Sequence, residues 1–524
     1  MAGLRITIVG SGFAGSILAR ILQLQGHRVL LLDRGSHPRF ALGESSTPLA
    51  AICLERLAAR YGLDDLHALA AWGRWMERLP HLRRGLKRGF TFYGHQPGLP
   101  FANGAANERR LLVAASPADA VADAHWLRSD VDHHLACAAG EAGVEVLEEV
   151  ELDALEAMPG GGWRLSGMRR GRAVRFEAEL LIDASGPGGF LARHLPIATL
   201  PTAPHTSLVF GHFEEAADFS KVAGAGGAAL SAGPYRDELA AVHHLLAEGW
   251  MYVLPFDHGL VSAGFVISAD QAREELNPLS PDQAWSNLLN RYPTLREQLA
   301  PARAARPLGM IPRLQHRLSR AAGERWALLP HTFTFLSPLF STGIAWSLLA
   351  VERLASLLEP DCGITLREGL GPYGDLLATE ADHLQRLVAG AYEAMRDFDL
   401  FAPYSFLYFA AASFGEASQR LLPAPPGGWA WQGFLGSTDP VMGEAMRRTL
   451  EALPPALDGR ISTARFEEDV RRAIAPRNLA GLADPARNRL YPVDLEILVD
   501  RAELLGMTAE EIRREVPRLR GGAR

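Results

Sequence analysis

The sequence predicts an α/β fold that begins with a βαβ unit and continues into a second, mostly antiparallel sheet and a helical C-terminal region. Three patterns indicate this class. The first 35 residues alternate strand, glycine turn, helix and strand; apolar strand-like segments recur between about residues 206 and 267; helical periodicity dominates after residue 360. We therefore assign residues 1–200 and 301–360 to the first domain, 201–300 to the second sheet domain and 361–524 to the helical region.

Length and composition indicate a globular protein with more than one domain. The 524 residues are 48% hydrophobic and 22% charged, a balance typical of soluble globular chains. Acidic residues outnumber basic ones, 60 to 53, so nucleic acid is not an expected partner. No apolar run reaches the roughly 18 residues of a membrane span. The nearest, residues 400–414, contains Pro403 and is predicted to be a buried helix.

The cysteine and histidine patterns predict neither a disulfide framework nor a metal centre. The three cysteines lie far apart in the sequence, which fits a reducing compartment. The chain starts on a strand-like segment and shows no secretory signal, so we expect a cytoplasmic protein. The adjacent histidine pairs at residues 133–134 and 243–244 lack the spacing of zinc ligands, and no metal site is predicted.

The first strand, at residues 6–9, runs into a Gly-x-Gly-x-x-Gly turn that opens a helix. In this context Gly10 permits the tight turn, Gly12 lets the backbone approach a pyrophosphate, and Gly15 lets the helix pack on the strand. Phe13 and Ala14 lie at the start of the helix, whose amides face the phosphates. The pattern predicts a dinucleotide site.

A carboxylate follows the second strand, at residues 28–32. Asp33 stands at the distance where it can accept hydrogen bonds from an adenosine ribose. An acidic residue there fits FAD or NAD, and the adjacent Arg34 leaves both cofactors open.

The remaining elements of the two sheets follow in order. We predict a helix at residues 130–143, a strand at 144–147, a hairpin of 163–165 with 174–178, a strand at 180–182, sheet strands at 208–213, 250–254 and 260–267, a helical stretch from Pro278 to Leu299, and a return to the first domain at 326–350.

Three further segments resemble those of FAD-dependent monooxygenases, and the first is similar to the G-E-S/A-x-x-P segment of the flavin-dependent halogenases among them. Glu44 and Ser45 lie in LGESSTP at residues 42–48, Arg128 opens a helix, and Asp183 begins the turn DASG. The resemblance implies a glutathione-reductase-like fold of the p-hydroxybenzoate hydroxylase type, with these four residues contacting FAD. It tilts the choice of cofactor to FAD.

The segment SPLFSTGI at residues 337–344 is more discriminating, because it resembles the flavin-lining P-L-x-S-T-G-I segment of flavin-dependent halogenases. The resemblance implies that Ser341 and Ile344 contact the flavin and that Thr342 and Gly343 bind halide. A turn entering a helix presents amides and a hydroxyl suited to a small anion. A Ser-Thr N-cap would explain the same hydroxyls without a halide.

Lys87 stands in LKRGFTF, which resembles the F-K-x-G-x-x-F segment of the same family. The resemblance implies that Lys87 lies at the end of a tunnel from the flavin and either hydrogen-bonds hypohalous acid or carries the halogen as a haloamine. Arg83, Arg84 and Arg88 leave an alternative open, in which Lys87 is one of four cations on a solvated strand edge.

Other positions concern the substrate side. Trp250, Tyr252 and Pro255 lie in GWMYVLP, which resembles the family's W-x-W-x-I-P segment between flavin and substrate, although aromatic residues in a strand are most often core. Phe340 stands where tryptophan-type halogenases carry a glutamate, which favours a phenol or pyrrole over tryptophan. His331 follows Pro330 where many relatives have Gly-Asp, which implies weaker flavin binding.

The resemblance implies a halogenase that uses FAD reduced by a separate flavin reductase, O2, and chloride or bromide. Hypohalous acid would halogenate an electron-rich aromatic substrate, either free or tethered to a carrier protein. A flavin monooxygenase or reductase of the same fold without halide chemistry is the alternative, and a non-catalytic flavin or nucleotide sensor is a third reading.

Overall fold

The computed structural model describes residues 3–276, 279–360 and 362–520. Up to residue 200 the elements are β1 (Arg5–Val9), α1 (Phe13–Leu24), β2 (Arg28–Leu32), α2 (Pro48–Tyr61), α3 (Asp64–Leu69), α4 (Trp72–Arg78), β3 (Arg84–Lys87), β4 (Gly89–Gly94), β5 (Arg110–Ala114), β6 (Asp123–Trp126), α5 (Arg128–Glu141), β7 (Glu145–Leu147), β8 (Val150–Ala157), β9 (Trp163–Arg169), β10 (Arg172–Ala178), β11 (Leu180–Asp183) and α6 (Phe190–His194).

The middle and C-terminal parts continue this order. Residues 201–360 contain β12 (Thr206–Glu214), α7 (Phe219–Ala225), β13 (Ala241–Leu246), β14 (Gly249–Pro255), β15 (Leu260–Ser268), α8 (Ala269–Glu275), α9 (Pro281–Leu289), α10 (Pro293–Leu299), β16 (Arg303–Ala304), β17 (Gly309–Ile311), β18 (His316–Arg317), β19 (Ala322–Gly323), β20 (Trp326–Leu328), α11 (Pro330–Phe333), β21 (Thr334–Phe335) and α12 (Thr342–Leu357). After these come α13 (Leu366–Ala394), α14 (Phe398–Leu421), α15 (Pro440–Leu457), α16 (Thr463–Ile474), β22 (Leu490–Tyr491), α17 (Leu495–Asp500) and α18 (Ala509–Arg520).

The first sheet has the order β19-β20-β11-β1-β2-β7 and is parallel except at β19. This confirms the predicted βαβ arrangement of β1, α1 and β2, and β20 joins the same sheet beside β11. The strands are almost continuously apolar because helices cover both faces of such a sheet. Since β1, β2 and β11 end side by side, their carboxyl ends form the edge at which open parallel sheets bind ligands.

The second sheet has nine strands and is mostly antiparallel. Its centre is β12-β15-β14-β13, which contains all three predicted strands of this region. Two more strands, β4 and β5, come from before residue 200, and β22 comes from the helical region. The division of the chain at residue 200 stays a prediction, and this sheet draws on segments from both sides of it.

Local sequence signals set the shorter elements. The predicted hairpin forms as β9 and β10, with Leu165 opposite Phe176. The predicted helical stretch becomes α9 and α10, because Pro293 starts a new helix and cannot continue the old one. Ser280 and Gln283 form a capping box at the start of α9. Pro278 lies outside the described residues.

The helical region packs against both sheets. α14 contains the segment predicted to be a buried helix, and Phe401, Tyr404 and Leu407 on it are buried. Within the described ranges, no helix combines the length and the apolar character that a membrane crossing requires. α14 therefore buries its apolar side chains within the protein, where it contacts α2, α13 and α15.

Candidate functional site

The three glycines of the turn after β1 differ in what a side chain would meet at each position. Gly10 has φ +111°, and a Cβ there would lie 2.3 Å from the Ala184 carbonyl oxygen. A Cβ at Gly15 would lie 2.1 Å from the Gly10 carbonyl oxygen. At Gly12, in contrast, a Cβ would meet only the side chains of Arg128 and Asp132, both at 3.7 Å. The protein's own packing therefore explains two of the glycines, and open space lies beside the third.

The open space adjoins the N-terminus of α1, which begins with Phe13 and Ala14. No side chain caps this end and its first turn carries no acidic residue. Its unpaired amides fit the diphosphate of FAD, and the Asp132 carboxylate beside this space is paired with Arg128. The guanidinium of Arg128 lies 4.8 Å from the centre of the Phe13 ring, beside the same space.

Asp33 is a buried carboxylate at the end of β2. It accepts hydrogen bonds from the backbone N–H and hydroxyl of Ser11, both at 2.8 Å, and from the Gly35 N–H at 2.9 Å. Burial alone would raise the pKa of Asp33, but Arg39, at 2.8 Å, and these donors outweigh it and lower the pKa. The ionised form is therefore present at neutral pH, as a ribose-binding carboxylate requires.

The cation at this carboxylate is Arg39. Arg34, which sequence reasoning assigned to the cofactor, has an exposed side chain. Arg39 lies five residues after Arg34, directly after His37 and Pro38. Nothing in the local sequence distinguishes it from other arginines of the chain.

Arg128 joins the start of α5 to the segment after the nucleotide unit. It makes two hydrogen bonds of 2.7 Å with Asp132 and donates to the carbonyl oxygens of Leu42 and Gly43 at 2.7 and 3.1 Å. Glu44, next in the chain, pairs with His212 of β12 at 3.0 Å. The segment at residues 42–45 is thereby fixed between the two sheets.

Asp183 ends β11 and holds the turn that follows. It accepts hydrogen bonds from the Ser185 hydroxyl at 2.6 Å and the Leu191 N–H at 2.7 Å. Burial raises the pKa of this carboxyl, and the donors oppose that rise. In the structure its contacts are with its own turn.

A cavity of about 100 Å³ brings together three separately predicted segments. Its walls include the following predicted residues: Glu44, Ser45, Trp250, Tyr252, Ser341, Thr342, Gly343 and Ile344. Two histidines that sequence reasoning did not assign to catalysis, His243 and His331, line it as well. The walls are mainly apolar with a few polar groups, the usual character of a small-molecule site.

Ser341 shapes the turn at the start of α12. Its φ of +52° is in the left-handed region, and its hydroxyl donates to the Ser45 hydroxyl at 3.0 Å. Although Ser341 occupies the N-cap position, no side chain caps this helix. The alternative in which these hydroxyls serve as a cap is therefore not what the structure shows. Thr342 and Gly343 open the helix with unpaired amides in the cavity wall.

His331 packs against this turn. A Cβ on Gly343 would lie 2.5 Å from the His331 Nε2, so the imidazole occupies the space that a side chain would fill. Burial lowers the pKa of His331 to about 4, and nearby Arg128 adds to that effect. The imidazole is neutral near pH 7 and can donate one hydrogen bond into the cavity.

Phe340 and Pro255 lie outside the cavity wall. The Phe340 ring stacks on Tyr408 of α14, with ring centres 4.6 Å apart. Pro255 ends β14, and its carbonyl oxygen would lie 2.0 Å from a Cβ on Gly85, so β3 approaches β14 closely there. The Phe340 ring is linked to the Lys87 ammonium through the rings of Tyr408 and Phe90.

Lys87 ends β3 and has no exposed surface. Its Nζ donates to the Ser46 carbonyl oxygen at 2.5 Å and lies 4.1 Å from the centre of the Phe90 ring. Its neighbours Arg83 and Arg88 instead pair with Asp130 and Asp119 near the surface. Lys87 is therefore not a solvated strand-edge cation.

Ser46 and His243 connect Lys87 to the cavity. Ser46, which accepts the hydrogen bond from Lys87, follows Ser45 in the cavity wall. The His243 imidazole lines the cavity and stacks on Phe90, 5.8 Å away between ring centres, and on Trp250 at 5.2 Å. Lys87 is thus one layer of side chains behind the cavity.

Asp123 is a site residue that sequence reasoning missed. It lies on β6 directly opposite Lys87 on β3, and both side chains are buried. Burial lowers the pKa of the Lys87 ammonium and raises the pKa of the Asp123 carboxyl, while the attraction between the two charges opposes both shifts. The pair forms only when residues far apart in sequence come together.

Comparison with known proteins agrees with this geometry. The model of the FAD dependent oxidoreductase family matches residues 5–324. The chain is 30% identical over 404 residues to the tetracycline 7-halogenase of Kitasatospora aureofaciens, covering 72% of this chain and 69% of that protein. It is 26% identical over 424 residues to the monodechloroaminopyrrolnitrin halogenase PrnC of Pseudomonas fluorescens, covering 78% and 71%.

The likeness in fold extends into the helical region. The crystal structure of the halogenase PltM in complex with phloroglucinol and FAD matches with a TM-score of 0.82 at 23% identity. The match covers 93% of this chain and 99% of that one. The C-terminal helices therefore belong to the shared architecture.

Proposed function

Because this chain belongs to the FAD-dependent oxidoreductases, and among them to the flavin-dependent halogenases, we propose that it halogenates an electron-rich aromatic ring with Lys87 as the residue that delivers the halogen. The observation that carries the role of Lys87 is its complete burial behind the cavity, with a backbone carbonyl as its hydrogen-bond acceptor. An ammonium kept from water can donate to an oxidant, and once deprotonated it is a nucleophile.

The use of lysine in this chain supports that role. Of its 53 basic residues only two, Lys87 and Lys221, are lysines, and the other 51 are arginines. Lys221 is a surface residue whose side chain is 77% exposed. Arginine cannot lose its proton in a protein, whereas a desolvated lysine can. A buried lysine in so arginine-rich a chain fits a step that needs an amine.

FAD fits the nucleotide site of this chain. The amides at the start of α1 would hold the diphosphate, Asp33 the ribose, and the segment at residues 42–45 together with Arg128 the middle of the cofactor. When bound and reduced, FAD would supply two electrons to O2, which takes two more from halide, so that hypohalous acid and water form. His331 provides a neutral donor where relatives carry an acid, so we expect weaker flavin binding than in those relatives.

The turn before α12 is our candidate for the halide site. Thr342 and Gly343 contribute uncapped amides and one hydroxyl to the cavity wall, and the positive end of a long helix favours an anion there. Tyr252 and Trp250 form another part of the wall. Their bulk would keep an aromatic substrate away from the flavin and leave only a small oxidant able to reach Lys87.

The rings around Lys87 suggest the class of substrate. Phe90 lies against its ammonium, and Phe340, Tyr408 and Phe409 extend the same aromatic surface. Such an aromatic surface fits a flat aromatic substrate ring. Phe340 offers no carboxylate that could stabilise a weakly nucleophilic ring during halogenation. The related structure with phloroglucinol, a phenol, supports a phenol, and PrnC, named for a pyrrolnitrin precursor, supports a pyrrole.

The test is a halogenation assay with the Lys87→Met variant. Purified protein is supplied with FAD, a flavin reductase, NADH, bromide or chloride, and a panel of phenols and pyrroles, free and carrier-bound. We expect halogenated product by mass spectrometry from the wild type and a loss of about 100-fold or more in the variant, the scale of a positioned proton-transfer group.

The matched control is Lys221→Met, which removes the other lysine and should leave the activity unchanged. Oxygenated product that forms without halide would contradict the proposal and favour a monooxygenase. We further propose that the reduced flavin comes from a separate reductase in the cytoplasm, since the family resemblance implies one.

A further inference from the structure

Asp123 is a buried carboxylate with an oxygen atom that no hydrogen bond satisfies. Its side chain is 6% exposed, and Oδ2 has no hydrogen-bond partner. Buried polar atoms are rarely left in this state, and such an atom calls for an explanation. The explanation stands across the strand pair, where Lys87 is the residue in register with Asp123.

The two side chains project from the same face of a two-stranded ribbon. Residues directly opposite each other on antiparallel strands have Cβ atoms about 5 Å apart, so their side chains share one space. The hydrogen bond of Lys87 goes to Ser46, which leaves donor capacity of the ammonium unused. A buried amine with spare donors therefore lies beside a buried carboxylate with a free acceptor.

We propose that Asp123 is the proton partner of Lys87: it takes a proton from the ammonium before the halogen arrives and returns it after the aromatic ring is halogenated. This inference rests on the proposed role of Lys87. Asp123 acts through the lysine, so it is a positioning residue and need not touch the substrate.

The proton and electron balance closes without another reactant. Asp123 takes H⁺ from the ammonium and becomes a carboxylic acid, leaving a neutral amine. The amine attacks the halogen of hypohalous acid, an N–halogen bond replaces the O–halogen bond, and an amine proton leaves with the hydroxide as water. The ring then takes the halogen, the electron pair of the N–halogen bond returns to nitrogen, the ring proton restores the amine, and Asp123 reprotonates it.

The other titratable groups near the pair are either neutral near pH 7 or joined in the ion pairs of Arg420. They are His125 on β6, His243 on β13, Glu55 on α2, and Tyr408, Glu416 and Arg420 on α14. Burial lowers the pKa of both histidines to about 3 and raises that of Tyr408 above its usual range, so all three stay neutral. Arg420 pairs with Glu55 and Glu416.

The composition of the chain allows a direct test. In protein labelled with ¹⁵N at the lysine side chain, Lys221→Arg leaves one signal, that of Lys87. We expect its titration midpoint to fall well below that of free lysine. Because Asp123 favours the charged lysine, Asp123→Asn should lower the midpoint further, by about one pH unit or more. Asp123→Glu should restore it towards the wild-type value.

Asp119→Asn is the matched control, since Asp119 is half exposed and pairs with Arg88 instead of Lys87. It should leave the midpoint unchanged. In active enzyme, the pH profile of halogenation should shift to lower pH in Asp123→Asn by the same amount. A merely structural Asp123 would lower the rate at every pH without moving the profile.

An Lys87 midpoint that is identical in Asp123→Asn and the wild type overturns the proposal. Asp123→Ala supplies the same comparison if the asparagine variant does not fold. The titration needs no flavin, halide or substrate. A protein that shows the shift but yields no halogenated product would therefore defeat the proposed function and leave the proton partnership standing.

Discussion

Gly10 and Gly12 lie two residues apart, yet the structure gives them different reasons to be glycine. At Gly10 the positive φ and the Ala184 carbonyl exclude any side chain. At Gly12 the backbone is extended, with φ −65° and ψ 171°, and the nearest atoms to a Cβ are 3.7 Å away. Only a ligand at the start of α1 would make a side chain harmful there.

We predict that Gly12→Ala folds normally but binds FAD more weakly. The thermal unfolding midpoint without FAD should stay within a degree or two of the wild type, while the Kd for FAD, measured by fluorescence quenching, should rise about tenfold or more, equivalent to about 1.4 kcal/mol. Gly10→Ala is the contrasting variant and should unfold at a clearly lower temperature, because its Cβ meets backbone. Equal FAD affinity in Gly12→Ala and the wild type would place the diphosphate elsewhere.

At the scale of elements, α12 connects the candidate halide site to the helical region. Near its far end Arg353 forms two hydrogen bonds, of 2.8 and 2.6 Å, with Glu380 of α13, and both side chains are fully buried. Arg353 also donates to the Ala430 carbonyl oxygen, and Glu380 accepts from the Phe434 N–H. The pair thus joins two long helices and the loop after α14.

Arg353→Met should destabilise the protein by about 3–5 kcal/mol, because it leaves the Glu380 carboxylate buried without its partner. The measurement is the free energy of unfolding in urea. Arg447→Met is the matched control. Arg447 pairs with Glu444 and Glu451 on the surface of α15, where water screens the charges, so its removal should change the free energy of unfolding far less. Equal losses in the two variants would show that burial of the Arg353–Glu380 pair has no energetic consequence.

The elements that the sequence predicted well are those encoded by nearby residues. The βαβ unit, the hairpin of β9 and β10, and the centre of the second sheet follow from apolar periodicity and glycine turns. Pairing between distant short strands carries no such signal. β3 and β6 are four-residue strands separated by β4 and β5, so the register that places Asp123 opposite Lys87 could not be predicted.

The candidate site likewise combines continuous segments, which the sequence predicted, with contacts between distant residues, which it did not. Motif resemblance located the cavity segments because each is continuous in sequence. Glu44 and His212 are 168 residues apart, and only the folded sheets bring them within 3.0 Å of each other. Tyr392 of α13, which accepts a hydrogen bond from the Trp250 indole N–H at 2.8 Å, is likewise a contact made by tertiary packing.

At the scale of the whole molecule, α14 of the helical region packs against Phe90 of the N-terminal part, the ring that lies against Lys87. Tyr408 of α14 lies against Phe340 and Phe90, with ring centres 4.6 and 5.8 Å away. Phe409 lies 5.4 Å from Phe90. If hypohalous acid passes from the cavity to Lys87, these rings separate that passage from bulk water, and halogen transfer depends on their packing.

We therefore predict that Tyr408→Ala uncouples oxidant formation from halogenation. Removing the ring opens space beside Phe340, so hypohalous acid should escape and react with a halogen-scavenging dye in solution. The yield of halogenated substrate per reduced flavin consumed should fall at least about tenfold. Tyr408→Phe keeps the ring and should retain wild-type coupling, which separates loss of the wall from loss of the hydroxyl.

Stability is measured in parallel, because truncating a buried aromatic side chain costs about 3–5 kcal/mol. Only variants folded at the assay temperature are compared, and scavenger and product are quantified in the same reaction so that a lower total turnover is not mistaken for leakage. If Tyr408→Ala gives less halogenated product without a matching gain in scavenged halogen, then α14 does not confine the oxidant. The Tyr408 ring would then contribute to packing alone.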